Sequence, residues 1–389
     1  MSIANKGRSP FYPGQPVPIE FFIGRMAEIQ RIARGISQVE LGKPQAIFLT
    51  GEYGIGKSSL ASAMKYLAKE KLLGVHVLLG GAKTIEDVAT KTVEAVIKDQ
   101  IYGTTITEKT RNFLSRYIGN QELFGFSINL ENLKADGPTI SHGYLPFLRE
   151  LLNRVKDTGI KGIMLILDEL NGITGNPQFA HFIKTLVDEN ALSSNPLPLL
   201  LMLCGVEERR REMINHHQPI DRIFDIVRVE SMNKEEMKDF FNKTFNSVGI
   251  QVTKGAMITL CHYSAGFPKI MHLLGDIIFW IDNDQLINGD DAAAGIIKAA
   301  LAVGEKFVDQ QVYKALQSKD YHSILKKISK GNSFQKGNIE KDLSEGERKK
   351  LHNFLRRMKK LNVLKSGDER GEYVFNSRLV RLYMLLKSL

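Results

Sequence analysis

Cysteine is almost missing from the chain: Cys204 and Cys261 are the only two in 389 residues. They lie far apart in apolar segments and match no C-x-x-C spacing. A disulfide framework and a cysteine metal site are therefore excluded, and a reducing, cytoplasmic setting is expected. No apolar run approaches the roughly 18 residues of a membrane span, so no membrane role is expected. The opening MSIANKGRSPFYPGQP lacks the apolar h-region of a secretory signal, and its prolines read as an extended arm. The nine histidines form no metal-spaced set. His216 and His217 are adjacent, so they point to different faces of a helix and suit a surface role. Internal repeats and low-complexity segments are also lacking. What remains, with 43% hydrophobic residues, is enough for about two or three globular domains.

Charge is unevenly spread. Residues 319–389 hold 18 Lys+Arg against 8 Asp+Glu, while the preceding 318 residues hold 35 of each sign. The whole excess of +10 thus sits in the last 71 residues. A basic block of that size suits a nucleic-acid surface, or else a merely solvated lysine-rich domain.

The stretch Ala46–Leu60, AIFLTGEYGIGKSSL, fits G-x-x-x-x-G-K-[ST] at Gly51, Gly56, Lys57 and Ser58. An apolar run before it suits a buried strand, and Leu60, Met64 and Leu67 recur behind it at helical spacing. Strand, glycine loop and helix together predict a nucleoside triphosphate site. Backbone N–H groups from Gly51, Glu52, Tyr53, Gly54, Ile55, Gly56 and Ser59 would face phosphate oxygens at a helix N-terminus. Lys57 would bridge the β- and γ-phosphates of ATP, and the Ser58 hydroxyl would ligate Mg²⁺.

A second stretch, Gly162–Glu169, reads as a strand buried on both faces that ends in two carboxylates. Acids at that position are costly unless solvated or used. After a P-loop this is the Walker B position: Asp168 would hold the Mg²⁺ shell and Glu169 would act as general base on the attacking water. Further strands are expected at Val75–Leu79, Leu197–Cys204 and Ile226–Val229, with an edge strand at Phe126–Leu130 after a mostly helical 84–120. Helices are expected from Met26, over Tyr144–Lys156, after Asn176-Pro177 and over Glu208–Glu212. From Asn233 the pattern turns wholly helical: Asn233–Phe245, Thr253–Tyr263, Pro268–Ile281 and about 290–317, with no strand candidate.

The tail has another order. Helical pieces surround Ile324–Ile328 and Glu340–Leu343, and a strong helix runs from a Ser344 cap to Leu361. Leu351, Phe354, Leu355, Met358 and Leu361 would face inward, with Lys349, Asn353, Arg356 and Lys360 in one outward stripe. Val363–Lys365 and Tyr373–Phe375 then flank a charged tip containing Arg370, as in a β-hairpin. Helices followed by a hairpin predict a winged helix-turn-helix, with the stripe and Arg370 as candidate contacts to double-stranded DNA.

Walker A, Walker B, a helical lid and a winged helix together resemble the AAA+-like P-loop ATPases of the Orc1/Cdc6 and archaeal-ATPase (STAND-related) group, over the whole chain from Pro10 onward. The resemblance implies an α/β fold, a parallel sheet sandwiched by helices, followed by an all-α lid and a winged helix-turn-helix. Expected boundaries are an arm at 1–20, an ATPase core at 21–231, a lid at 232–317 and the winged domain at 318–389. The arm PFYPGQPVP before FFIGR is similar to the segment that precedes the nucleotide site in bacterial relatives. The resemblance further implies that Gly24-Arg25 packs beside the adenine and that Arg222, in Asp221-Arg222-Ile223-Phe224, is an arginine finger completing a neighbouring subunit's site in a homo-oligomer or with a partner ATPase. Gly266-Phe267-Pro268-Lys269 resembles the G-x-P motif that opens a lid helix, with Lys269 at sensor 2. One departure stands out. The family's polar sensor 1 would end the strand that here finishes Leu203-Cys204-Gly205, which predicts slow turnover. The implied function is an ATP-driven switch that binds DNA. The alternatives are a STAND-like signalling or scaffold ATPase whose winged helix contacts protein, and a slow or non-hydrolysing nucleotide sensor.

Overall fold

A computed structural model describes residues 6–15, 17–19, 22–101, 138–314, 316 and 318–387. The expected edge strand Phe126–Leu130, and the part of 84–120 beyond Ile101, lie outside the described residues. Two compact units are present: Pro16–Glu230, and Met1–Gln15 together with Ser231–Leu389.

In the first unit the elements run α1 (Met26–Glu40), β1 (Gln45–Thr50), α2 (Lys57–Ala68), β2 (Leu72–Leu78), α3 (Ile85–Ile101), α4 (Pro138–Val155), β3 (Gly162–Asp168), α5 (Pro177–Leu192), β4 (Leu199–Gly205), α6 (Glu207–His216) and β5 (Asp225–Arg228). All five strands are parallel, in the order β2-β3-β4-β1-β5. A parallel sheet must be covered on both faces, and its central strands are accordingly apolar throughout. Every residue of β3 and of β4 is buried. The period of two sorts them. Ile163, Leu165 and Leu167 join a core with Val88, Leu148, Leu151 and Phe182 from α3, α4 and α5. Met164 and Ile166 point to the opposite face, where α1 and α2 lie against the sheet. Asn176 caps α5 by accepting from the N–H of Gln178, and Pro177 opens it at a position where no N–H is missed.

The second unit continues with α7 (Lys234–Asn246), β6 (Gln251–Val252), α8 (Lys254–Ser264), α9 (Pro268–Ile281), β7 (Leu286–Ile287), α10 (Gly289–Val303), a π-helical turn at Gly304–Tyr313, α11 (Lys319–Ile328), β8 (Ser333–Gln335), α12 (Lys336–Lys341), α13 (Glu345–Lys360), β9 (Leu364–Ser366), β10 (Glu372–Phe375) and α14 (Arg378–Leu386). Two expectations need correction here. The interval after Asn233 is not wholly helical, because β6 and β7 pair in parallel; with two residues each they are too short to show a period of two. The expected helix at about 290–317 ends at Val303 and passes into the π-helical turn. The expected hairpin is the β9–β10 edge of a three-stranded antiparallel sheet, order β8-β10-β9.

Arm, helical stretch and basic tail, expected as separate parts, share this one unit. Phe11 of the arm is 4% exposed and sits edge-on to Phe245, 4.7 Å between ring centres, with Phe240 and His272 beside it. The Tyr12 N–H donates to Nδ1 of His272 at 3.2 Å, and Lys6 pairs with Asp282. At the other end of the chain, α14 packs on α10 and the π-helical turn. Its Tyr383 hydroxyl donates to Asp309 at 2.8 Å, and Lys387 pairs with the same carboxylate.

Candidate nucleotide site

The site is assembled where β1, β3 and β4 leave the sheet. Thr50 and Gly205 are paired at the ends of β1 and β4, and Asp168 closes β3. Between β1 and α2 the chain must reverse within a few residues. Gly54 (φ 76°) and Gly56 (φ 98°) take the left-handed conformations that a side chain would strain. Lys57 opens α2 and its ammonium donates to the Gly51 and Glu52 carbonyls at 2.8 and 2.9 Å. Burial pushes the Lys57 ammonium below its ordinary value, and the Asp168 carboxylate acts against that shift.

Asp168 is 2% exposed, yet its carboxylate stays below the usual range. Burial alone would raise it; hydrogen bonds from His76 and Ser58, and from the Glu169 N–H at 2.8 Å, outweigh that. A hydroxyl and an ionised carboxylate in hydrogen-bond contact are the hard oxygen pair that Mg²⁺ takes, with phosphates and water completing its shell. The residues present therefore fit that ion. Glu169 is exposed, adopts φ 58° just past the strand, and rests its carboxylate against Gly80.

The structure thus brings Gly51–Ser59, Asp168 and Glu169 together. Arg25, which the resemblance sets beside the adenine, is a buried side chain held against the P-loop. It is 4% exposed, adopts φ 66°, donates to the Ile55 carbonyl at 3.0 Å and to the Glu230 carbonyl, and so braces the P-loop from behind. Gly24 precedes it at φ 80°. Arg222 sits in a 3-10 turn over Gln218–Ile223, exposed and without a side-chain partner among the described residues. Pro268 is the first residue of α9 and Lys269 is exposed in its first turn; both belong to the second unit. Cys204, near the end of β4 where the resemblance would put sensor 1, is buried, and burial together with nearby Asp168 drives its thiol pKa well up. It is a neutral core residue.

Sequence reasoning missed several groups around this site. Tyr53, 59% exposed, donates its hydroxyl to Asn171 Oδ1 at 2.8 Å, and Arg209 of α6 reaches the same tyrosine while pairing with Glu212 at 2.6 and 2.8 Å. His76 of β2 touches Asp168. A histidine inside an apolar strand was the available signal, since a buried imidazole needs a polar partner. In the tail, Lys349, Asn353, Arg356 and Lys360 are all exposed on α13. Lys349 pairs with Glu345 at 2.8 Å, and Arg356 donates to Asn353 at 3.2 Å. Arg370 is exposed at the β9–β10 tip, between Asp368, Glu369 and Glu372.

This arrangement is that of a P-loop nucleotide-binding core. Residues 22–213 match the family model described as an AAA ATPase domain. Over its whole length the fold is similar to the ORC2 protein of Aeropyrum pernix, solved in ADPNP–ADP complexes: TM-score 0.59, 12% identity, 100% of this chain and 97% of that one. It is also similar to the Walker-type ATPase PABY2304 of Pyrococcus abyssi: TM-score 0.56, 17% identity, 94% of this chain and 96% of that one. At such identities the likeness is one of fold. No curated protein matches the chain. Among the described residues no helix is long and apolar enough to cross a membrane, and no group of three or more His, Cys, Asp or Glu is placed to hold a metal ion.

Proposed function

We propose that the chain is an Mg²⁺-dependent ATPase switch that engages double-stranded DNA through its C-terminal basic region. The observation that carries the ATPase reading is the convergence of Lys57, Ser58, Asp168 and Glu169 at the glycine loop between β1 and α2. Mg²⁺ would neutralise charge on the β- and γ-phosphates. Ser58 and Asp168 would hold that ion, Lys57 would place a cation on the same oxygens, and the Glu169 carboxylate would take the proton of the attacking water. The buried thiol at the sensor 1 position offers no polar partner to that water, so turnover is slow.

The DNA reading rests on the tail. Helices α11, α12 and α13 followed by the β9–β10 hairpin of the β8-β10-β9 sheet support a winged helix-turn-helix reading, and α13 carries four exposed polar or basic residues along one face. The wing itself is a poor phosphate contact. Asp368, Glu369 and Glu372 surround the single cation Arg370, and Glu372 accepts the Asp368 N–H at 3.1 Å while Gln335 holds Glu369 at 2.8 Å. We therefore assign the backbone contacts to α13 rather than to Arg370. That same acidic tip favours a second reading, in which the tail docks a basic protein partner. Nucleotide titration with the wild type, Lys57→Ala and Glu169→Gln tests the ATPase proposal. Lys57→Ala should lose tight ATP binding, and Glu169→Gln should bind ATP without turning it over. Hydrolysis by Glu169→Gln at the wild-type rate would overturn the assignment of the base.

A further inference from the structure

Ser62, His76, Asp168 and Ser58 form a closed chain of polar contacts that runs from α2 through two strands and back to α2. His76 pairs in register with Ile166, so Asp168 lies two residues further along β3 on the same face. His76 Nε2 stands 3.2 Å from Asp168 Oδ2, and His76 Nδ1 stands 3.3 Å from the Ser62 hydroxyl. Ser62 follows Ser58 by four residues, so the two share one face of α2. Asp168 as a carboxylate can only accept, which puts the imidazole proton on Nε2. In the neutral ring Nδ1 carries the lone pair, and the Ser62 hydroxyl is then the group that donates to it. The helix that supplies Ser58 to the ion site thus also fixes the ring that orients the other ion ligand.

We propose that His76 is a positioning residue for the Mg²⁺ ligand Asp168, set in tautomer and orientation by Ser62. This rests on the reading of Ser58 and Asp168 as the Mg²⁺ pair. Oδ1 of Asp168 is held by the Glu169 N–H, and Oδ2 is held by His76. Removing the second hold leaves the buried carboxylate oriented by the Glu169 N–H and the Ser58 hydroxyl alone, with Oδ2 without its imidazole donor. Outer-sphere partners of this type typically change metal affinity by about 10–100-fold when removed.

The test uses the full chain, a fluorescent ATP analogue and a Mg²⁺ titration starting from EDTA, with Mn²⁺ electron paramagnetic resonance as a direct readout of the ion. His76→Leu should raise the Mg²⁺ concentration for half-maximal effect by roughly 10–100-fold while leaving nucleotide retention in EDTA at the wild-type level. His76→Gln, whose amide can still donate to Asp168, should recover most of that shift. Ser62→Ala should shift the midpoint in the same direction by less, and it carries the test should His76→Leu fail to fold. A wild-type Mg²⁺ midpoint in both His76→Leu and Ser62→Ala overturns the positioning role and leaves the nucleotide site standing. Equal loss of nucleotide binding with and without Mg²⁺ also overturns it, because the histidine would then be structural. A wild type whose nucleotide binding ignores Mg²⁺ overturns this proposal and the ion site together.

Discussion

Gly80 and Glu169 meet so closely that a Cβ on Gly80 would overlap the Glu169 Oε2 atom. The glycine two residues past β2 is thus a floor for the carboxylate that leaves β3. The overlapping atom is the end of a flexible side chain, so Gly80→Ala should move the carboxylate and leave the fold intact. General bases contribute about 10²–10⁴-fold to rate, and even partial misplacement should cost roughly tenfold or more in ATP turnover. ATP affinity should stay within about twofold of wild type, since Glu169 does not hold phosphate in this reading. Turnover and affinity measured on the same preparation check both halves; unchanged turnover would remove the floor from the mechanism.

Arg222 is exposed with no intramolecular partner among the described residues, which suits a role toward a second subunit. Arg222→Ala should lower ATPase activity, by up to about 10³–10⁵-fold if the guanidinium stabilises transition-state charge in trans. Mixing Arg222→Ala with Lys57→Ala should restore part of the rate, because each supplies what the other lacks. Activity linear in protein concentration with no recovery on mixing would identify a self-sufficient monomer.

The arm should be structural as well as connective. Phe11 fills a notch over Gly275 of α9, where a Cβ would collide with its ring. Phe11→Ala should destabilise the protein by about 3–5 kcal/mol, the range for emptying a buried aromatic site. Gly275→Val should also destabilise it by forcing the ring out. Denaturant midpoints measured for the two substitutions, singly and together, check this. Two independent losses that simply add would show that the ring and the notch are not coupled.

Glu347 links α13 to α11 and gives the second unit an acid-sensitive joint. It is 4% exposed, and the hydrogen bonds from Lys327 at 2.7 Å and from Ser323 bring its carboxyl from 4.5 down to about 2. A depressed carboxyl stabilises the fold fully above its unfolded value and loses that contribution as pH falls from about 4.5 through about 2. Glu347→Gln should therefore be less stable than wild type by about 1.5–3 kcal/mol at neutral pH, the range for hydrogen bonds to charged groups. The gap should narrow at pH 3. Buried His272, pushed down to about 4, adds acid sensitivity common to both proteins, since protonating it opposes folding as pH drops below 6.5. A gap that stays constant from pH 7 to pH 3 would deny Glu347 its ionised role.

What the sequence made legible were the features written in neighbouring residues. The strand before the P-loop, the buried strand ending in Asp168-Glu169, the Ser344 cap of α13 and the Pro268 start of α9 all show in local pattern. Features that depend on strand order were hidden. His76 meets Asp168 only because β2 lies beside β3, ninety-two residues later in the chain. Nothing in the residues around Gly80 points to Glu169, which lies against it only in the fold. Arg25 belongs to a G-R turn that resembles an adenine contact, and its burial behind Ile55 is a tertiary fact. Strands β6 and β7 are too short to carry a period, and α14 escaped notice because its helical pattern follows directly on a strand.

The central claim is a nucleotide-dependent grip on DNA by α13, and duplex binding by full-length Glu169→Gln tests it most directly. Affinity would be measured across a salt series with ATP and with ADP, alongside the triple substitution of Lys349, Arg356 and Lys360 by Ala. We expect the ATP and ADP states to differ in affinity by at least about fivefold, the lower end of common allosteric coupling. The triple substitution should flatten log K against log salt by about 2.7 units if each cation neutralises one phosphate. Duplex binding that is equal in both nucleotide states, or that keeps its affinity and salt slope without those three cations, would contradict the claim and leave the tail to a protein partner.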